Sequence, residues 1–223
     1  MLFRSLGLAG WGWDDVLPFF KRHEDFHAGA DEMHGAGGEW RIEEPRISWE
    51  ILDAFRDAAE EAGIPKISDF NRGDNHGSAY FHVNQRRGIR WTAAKAFLRP
   101  ARGRPNLRIV TGAQARRIIF EGRRVVGVDF ALNGAAAGAR AAREVVLAAG
   151  AIGSPHLLML SGVGPAAALA AHGIAPVHDL PGVGANLQDH LQLRCIFKVA
   201  NTTTLNQTAN SLLGRIRMGL DYA

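Results

Sequence analysis

Gly150-Ala151-Ile152-Gly153-Ser154-Pro155-His156-Leu157-Leu158-Met159-Leu160-Ser161-Gly162-Val163-Gly164 is the stretch on which the fold turns. It follows a run rich in β-branched residues, Arg143-Glu144-Val145-Val146-Leu147, which stops at Ala148-Ala149-Gly150. An apolar helical segment comes next, closed by Ser161-Gly162-Val163-Gly164. Strand, small-residue turn and helix is the geometry in which α/β proteins bring backbone close to a nucleotide. In this reading Gly150 lets the strand end lie against a ligand. Ser154 caps the helix and Pro155 stands in its first turn. Leu157, Leu158 and Leu160 pack the helix on a sheet, and Gly162 and Gly164 make the left-handed turn that ends it.

Working outward, Leu107–Thr111 and Arg143–Ala148 read as strands, and Arg116–Phe120 with Arg124–Phe130 as a hairpin about Glu121-Gly122. Asn133–Gly138 reads as an exposed loop tip, Pro165–Ala171 as a short helix, Ala175–Leu180 as extended chain and Leu191–Val199 as a further strand. Toward the start, Trp13–Phe26 reads as a helix with Asp14 and Asp15 in its first turn and an apolar face of Val16, Leu17, Phe19 and Phe20. Trp40–Glu44 alternates like a short strand. Ser48 is placed to cap a helix over Trp49–Ala62, with Trp49, Leu52, Phe55 and Ala59 on its buried face. Asp69–Ser78 is polar loop, Thr92–Leu98 a short helix stopped by Pro100, and Leu212–Tyr222 a helix.

The 150–164 stretch resembles, at every constrained position, the second signature of the glucose–methanol–choline (GMC) oxidoreductases, flavoenzymes that oxidise alcohols with FAD. The flanks resemble the same family in the same order. They are Trp11-Gly12-Trp13-Asp14-Asp15-Val16-Leu17-Pro18-Phe19-Phe20, Asn84-Gln85-Arg86-Arg87-Gly88-Ile89-Arg90-Trp91, Arg104-Pro105-Asn106-Leu107 and Leu180-Pro181-Gly182-Val183-Gly184-Ala185-Asn186-Leu187-Gln188-Asp189-His190. The likeness is to the choline-dehydrogenase-like branch. It implies the α/β class, mixed α+β: part of an FAD/NAD(P)-binding Rossmann-like domain with part of a GMC substrate-binding domain. Residues 1–84 would then be the substrate-domain side and connecting segments. Residues 85–195 would be the FAD-binding portion, and 196–223 the start of the substrate-domain sheet.

The family opens with a GxGxxG turn that holds the FAD pyrophosphate, and its catalytic histidine lies in a later segment. Gly10-Trp11-Gly12-Trp13 starts like such a turn but lacks the third glycine and a preceding strand. The resemblance therefore implies an internal fragment, with no catalytic residue of its own, that is inactive alone and holds FAD weakly. By resemblance Ala115 would meet adenine through its main chain, and Ala149 and Gly150 would approach the adenosine. The implied substrate is an alcohol, choline-like or another primary alcohol, oxidised to the aldehyde. The electron acceptor is left open, and a complementary chain that completes the enzyme is an expected partner. A non-enzymatic GMC half, or one completed by a partner chain, is the alternative.

Other patterns compete. His23-Glu24-Asp25-Phe26-His27 has the H-E-x-x-H form which, on a helix, puts two histidines on one face for zinc, with Glu24 as base of a peptidase. Gly29 close behind weakens that helix, and Ala30 stands where the longer metzincin pattern needs glycine, so no metal site is expected here. Asp189 beside His190 is placed to fix a tautomer, yet the resemblance makes that position structural. Ser154 and Ser161 lack a nucleophile elbow.

The net charge of +4 is uneven: residues 1–85 carry 8 basic and 16 acidic side chains, and residues 86–124 carry 12 basic and one acidic. The arginines of that block alternate with apolar residues on short strands, so nucleic-acid binding is not expected. No apolar run approaches the ~18 residues of a membrane span, and the start lacks the apolar core of a secretory signal. A cytoplasmic protein, peripheral at a membrane at most, is expected. Cys195 is the only cysteine, which excludes an intrachain disulfide.

Overall fold

The first layer of order is local, built from short elements whose amides find partners close by in the chain. In the computed structural model, which describes residues 2–222, α1 (Leu2–Ser5) precedes α2 (Trp13–His23). Asp15 accepts the N–H of Gly12 at 2.9 Å and so starts α2, as the acidic first turn predicts. This helix ends three residues short of the expected Phe26. Glu24–Phe26 is instead β1, parallel to β2 (Trp40–Ile42), with Glu24 opposite Trp40 and Phe26 opposite Ile42. The loop between them closes tightly on β1: Phe26 N–H donates to Gly35 O at 3.0 Å and Gly38 N–H to Glu24 O at 3.0 Å. Ladder bonds thus win over helical propensity at this point.

The helix α3 (Glu50–Glu61) is present as read, but Trp49 rather than Ser48 is its first flanking residue, and no side chain caps it. Its expected buried face is open: Phe55 is 70% and Leu52 45% exposed. Two short strands follow, β3 (Gln85–Arg86) and β4 (Ile89–Arg90), paired antiparallel. A π-helical turn, Ala94–Leu98, runs straight into α4 (Arg99–Ala101). The helical run extends one residue past Pro100, to Ala101, rather than stopping before it.

The chain divides into two compact units. One holds the described residues up to Leu107 together with those from Ile196 onward, and the other is Arg108–Cys195. Residues 85–107 thus lie in the first unit.

The second unit is organised by an antiparallel meander, β5 (Ala113–Glu121), β6 (Arg124–Leu132) and β7 (Ala135–Arg140), in the order β5-β6-β7. The hairpin about Glu121-Gly122 forms as read. Asn133-Gly134 is not a loop tip but the second tight turn, with Asn133 at φ 51° and Gly134 at φ 90°, leading into β7. The helix α5 (Gly150–Leu160) packs on β5. Next come β8 (Val163–Gly164), α6 (Ala166–Ala171) and β9 (His178–Asp179), with β8 and β9 parallel. Ile118, Ala131, Leu157, Val163 and Leu169 are the buried apolar side chains of this unit.

Three expected strands are absent. Leu107–Thr111, Arg143–Ala148 and Leu191–Val199 are extended or irregular and belong to no ladder among the described residues. Val145 and Leu147 are half-buried while Val146 is 79% exposed, so the two-residue alternation is kept without a neighbour to pair with. The first unit resumes with α7 (Leu205–Ala209), which Thr204 caps by accepting from Gln207 N–H, and α8 (Leu212–Tyr222). The chain is thus mixed α/β, as the sequence implies.

Candidate functional site

The site is built at the start of α5. Gly150 has φ +81°, the left-handed region that lets the chain turn directly from the Val145–Leu147 run into the helix. A side chain there would meet nothing within 4 Å, so the backbone at this corner is open. Because the helix begins at Gly150, Ser154 and Pro155 stand inside it, not at its first turn. Ser154 still serves the helix start: its Oγ accepts the N–H of Ala149 at 3.0 Å. The far end of α5 is held from below, where the Oγ of Ser161 accepts Ile118 N–H at 2.8 Å and donates to Leu157 O at 2.6 Å.

A groove of about 430 Å³ runs beside the first turns of α5. Ala151, Ile152, Pro155, His156 and Met159 form one wall, and Gly184, Ala185, Asn186, Leu187 and Gln188 the other. Asn186 has φ 55° and Gly184 φ 77°, so the second wall is a tight, left-handed turn. The two walls are the two stretches on which the resemblance rests most heavily, and the fold brings them face to face. The leading amides of α5 have no intrahelical acceptor, which suits a polar ligand at that end.

The family comparison gives the same answer. The GMC oxidoreductase family model matches residues 4–192.

The chain belongs to the GMC oxidoreductase family.

It is 41% identical over 216 residues to an oxygen-dependent choline dehydrogenase of Brucella anthropi, covering 97% of this chain and 39% of that protein. It is 38% identical to the human mitochondrial choline dehydrogenase, covering 97% of this chain and 36% of the relative. The chain thus spans about two fifths of the length of the curated relatives it matches. Among solved structures it resembles a pyridoxine 4-oxidase from Mesorbium loti, with TM-score 0.75, 38% identity, and coverage of 80% of this chain and 36% of that one. An FAD-dependent oxidoreductase from Chaetomium thermophilum matches with TM-score 0.76 and 28% identity over 81% of this chain and 34% of that one.

In this GMC chain the three residues singled out for adenosine, Ala115, Ala149 and Gly150, all lie in the second unit and are all exposed. Ala115 is on β5 opposite Phe130, and the ladder slips immediately after it, between Ala115 and Arg117. Such a bulge bends a strand and re-aims what it presents. Ala149 and Gly150 form the corner at the head of α5. The reading of the residues missed the groove wall at 184–188 as a site, although its Gly-rich turn was visible. His190 gives no sign of an oriented ring, since Asp189 accepts the backbone N–H of His190 at 2.8 Å.

The H-E-x-x-H reading fails on geometry. His23 is the last residue of α2, and Glu24 to Phe26 are strand, so the two histidines do not share a helical face. The Glu24 carboxylate is already engaged by Gly35 N–H at 2.8 Å and by the Nδ1 of His34 at 3.1 Å. His34 is buried, and its Nε2 lies 2.8 Å from Asp69 Oδ2. Burial pushes the Asp69 carboxyl up, but the Asn71 N–H and the His34 and His82 rings outweigh that and hold it below its ordinary range. His27 turns instead toward Glu44 and His82, and one ligand atom from each of the three lies within 4.8 Å of the others. Among the described residues no helix is long and apolar enough to cross a membrane.

Proposed function

We infer that the second unit is the adenosine-side part of an FAD-binding domain, and that the protein serves an FAD-dependent oxidation of an alcohol to the aldehyde. The observation that carries this is the groove between the head of α5 and residues 184–188. Its walls are the first turns of α5, directly after the left-handed Gly150, and a second glycine turn, an arrangement suited to a dinucleotide. Ala115, Ala149 and Gly150 present main chain rather than side chain to that ligand, so small residues serve there. Bound flavin supplies the hydride acceptor, and this chain's residues supply binding and orientation. A choline-like alcohol is the substrate class favoured by the choline dehydrogenase relatives. The proton-accepting residue is assigned to no side chain of residues 1–223.

The test is a titration of isotopically labelled chain with ADP, which carries the adenosine and pyrophosphate of FAD. Amide shifts that saturate and cluster at residues 113–117, 149–153 and 184–188 are expected, and Gly150→Val weakens them at least tenfold. Shifts confined to other segments, or titration unaffected by Gly150→Val, overturn the assignment.

A further inference from the structure

We propose that His27, Glu44 and His82 form a divalent transition-metal site of the zinc class, distinct from the flavin groove and lying wholly within the first unit.

Two strand pairings assemble it. The parallel ladder of β1 and β2 sets Phe26 beside Ile42, so His27 leaves β1 where Glu43 and Glu44 leave β2. The antiparallel bridge between Glu43 and Val83 then sets Glu44 opposite His82. That bridge is made by two backbone bonds, Glu43 N–H to Val83 O at 3.0 Å and Val83 N–H to Glu43 O at 2.8 Å. The three donors are therefore held by backbone pairing and not by chance proximity of surface side chains.

The donor set is two imidazoles and one carboxylate, the N2O combination that suits zinc and its neighbours in the first transition row. One ligand atom from each residue already lies within 4.8 Å of the others. Ligands around a tetrahedral zinc with bonds of ~2.0–2.1 Å lie about 3.3 Å apart. The contraction needed is at most about 1.5 Å, and the exposed, three-torsion side chain of Glu44 is free to move. Both histidine rings are half-buried and packed. The Phe26 ring lies 4.6 Å from His27 and 5.0 Å from His82, and the two histidine rings are 5.2 Å apart.

The support behind the donors is what a metal-binding histidine requires. His82 Nδ1 faces Asp69 Oδ1 at 3.7 Å, an ion-pair separation longer than a hydrogen bond, with Nε2 left for the metal. Asp69 is itself fixed by Asn71 N–H at 2.9 Å and by His34 Nε2 at 2.8 Å. A carboxylate on the far nitrogen orients the ring and raises its basicity as a ligand. Glu44 and His82 also line a cavity of about 470 Å³, so a fourth position is open to water or a small ligand. The sequence signal was half present: His27 belongs to the H-E-x-x-H string, but its partners come from the strands after it.

The test uses the full chain, stripped with chelator and titrated with Co2+ and then Zn2+. One Co2+ per chain with the visible absorption of a low-coordinate N/O site is expected, displaced by one equivalent of Zn2+. Glu44→Ala, an exposed position, retains the far-UV spectrum and weakens Zn2+ at least tenfold. His27→Ala and His82→Ala do the same, and His172→Ala, on the surface of the other unit, leaves binding unchanged. Asp69→Asn lowers affinity about 10–100-fold, as for outer partners of metal-bound histidines. Folded chain that takes up no Co2+ or Zn2+, or binding that Glu44→Ala leaves intact, overturns the proposal. Neither result bears on the ADP titration, so the flavin reading stands or falls separately.

Discussion

Ser161 holds Ile118: its Oγ accepts the Ile118 N–H at 2.8 Å, and both residues are buried. The same hydroxyl donates to Leu157 O at 2.6 Å, so one side chain ties the end of α5 to the middle of β5. In the signature, this serine therefore works for the scaffold rather than for a ligand. It fixes the far end of α5 against the sheet, and so helps to place the groove along that helix.

Ser161→Ala leaves a buried amide without an acceptor, a loss of about 1–3 kcal/mol. Urea unfolding is expected to show a lower midpoint at unchanged slope. A variant within a few tenths of a kcal/mol of the parent would remove this role.

Gly150 and Gly162 share a left-handed backbone but differ in their surroundings. A side chain at Gly150 meets nothing within 4 Å, whereas one at Gly162 would lie 2.7 Å from Ala175 O and 2.9 Å from Val177 Cγ2. Gly150→Ala carries only the conformational cost, about 1 kcal/mol. Gly162→Ala adds a backbone clash that pushes β8 off β9, and a loss about twice as large or more is expected. Thermal melts of the two variants side by side check the order.

The hairpin, α5 and the terminal helix are legible because each is decided by neighbours within a few residues: a Gly turn, a small-residue corner, an apolar stripe. The Val145–Leu147, Leu107–Thr111 and Leu191–Val199 runs have strand composition as well, but a strand is completed by its neighbour, and composition cannot supply one. A serine before a proline looks like a helix start, which makes Ser154 a cap candidate from sequence. The left-handed Gly150 begins the helix earlier and turns Ser154 back onto Ala149. Of the site, the corner at Ala149–Gly150 was visible as a motif. The facing wall at 184–188 and the His27–Glu44–His82 group depend on chain segments that only folding brings together.

Asp31 gives the acid limb of stability a definite sign. The guanidinium of Arg72 and the N–H groups of His34 and Met33 hold its carboxyl well below the usual range. A carboxyl depressed in the folded chain binds its proton more readily when unfolded, at about pH 3.9. Its contribution is thus complete above that pH and is lost as pH falls through the lower folded value. Asp31→Asn is expected to flatten the decline in unfolding free energy below about pH 4, with the largest difference from the parent at neutral pH. Denaturant titrations between acid and neutral pH would show parallel curves if Asp31 had no such part.

Leu191–Val199 joins no ladder among the described residues, and its side chains are open: Leu191 is 102%, Leu193 90%, Ile196 94% and Phe197 79% exposed. Backbone without cross-strand bonds adapts readily to a protease cleft, and these side chains are those that chymotrypsin prefers. The division between the two compact units falls at Cys195 and Ile196, inside this segment. Brief digestion is therefore expected to cut first after Leu191, Leu193 or Phe197, ahead of the equally apolar but laddered Ile118–Phe120 run. Mass spectrometry of the early fragments reads the order directly. First cuts within residues 113–140 would mean that the meander is less stable than its hydrogen bonding implies. Protection of 191–197 from the start would mean that the apolar row is covered in solution, since exposed apolar chain of this length is a surface that seeks a partner.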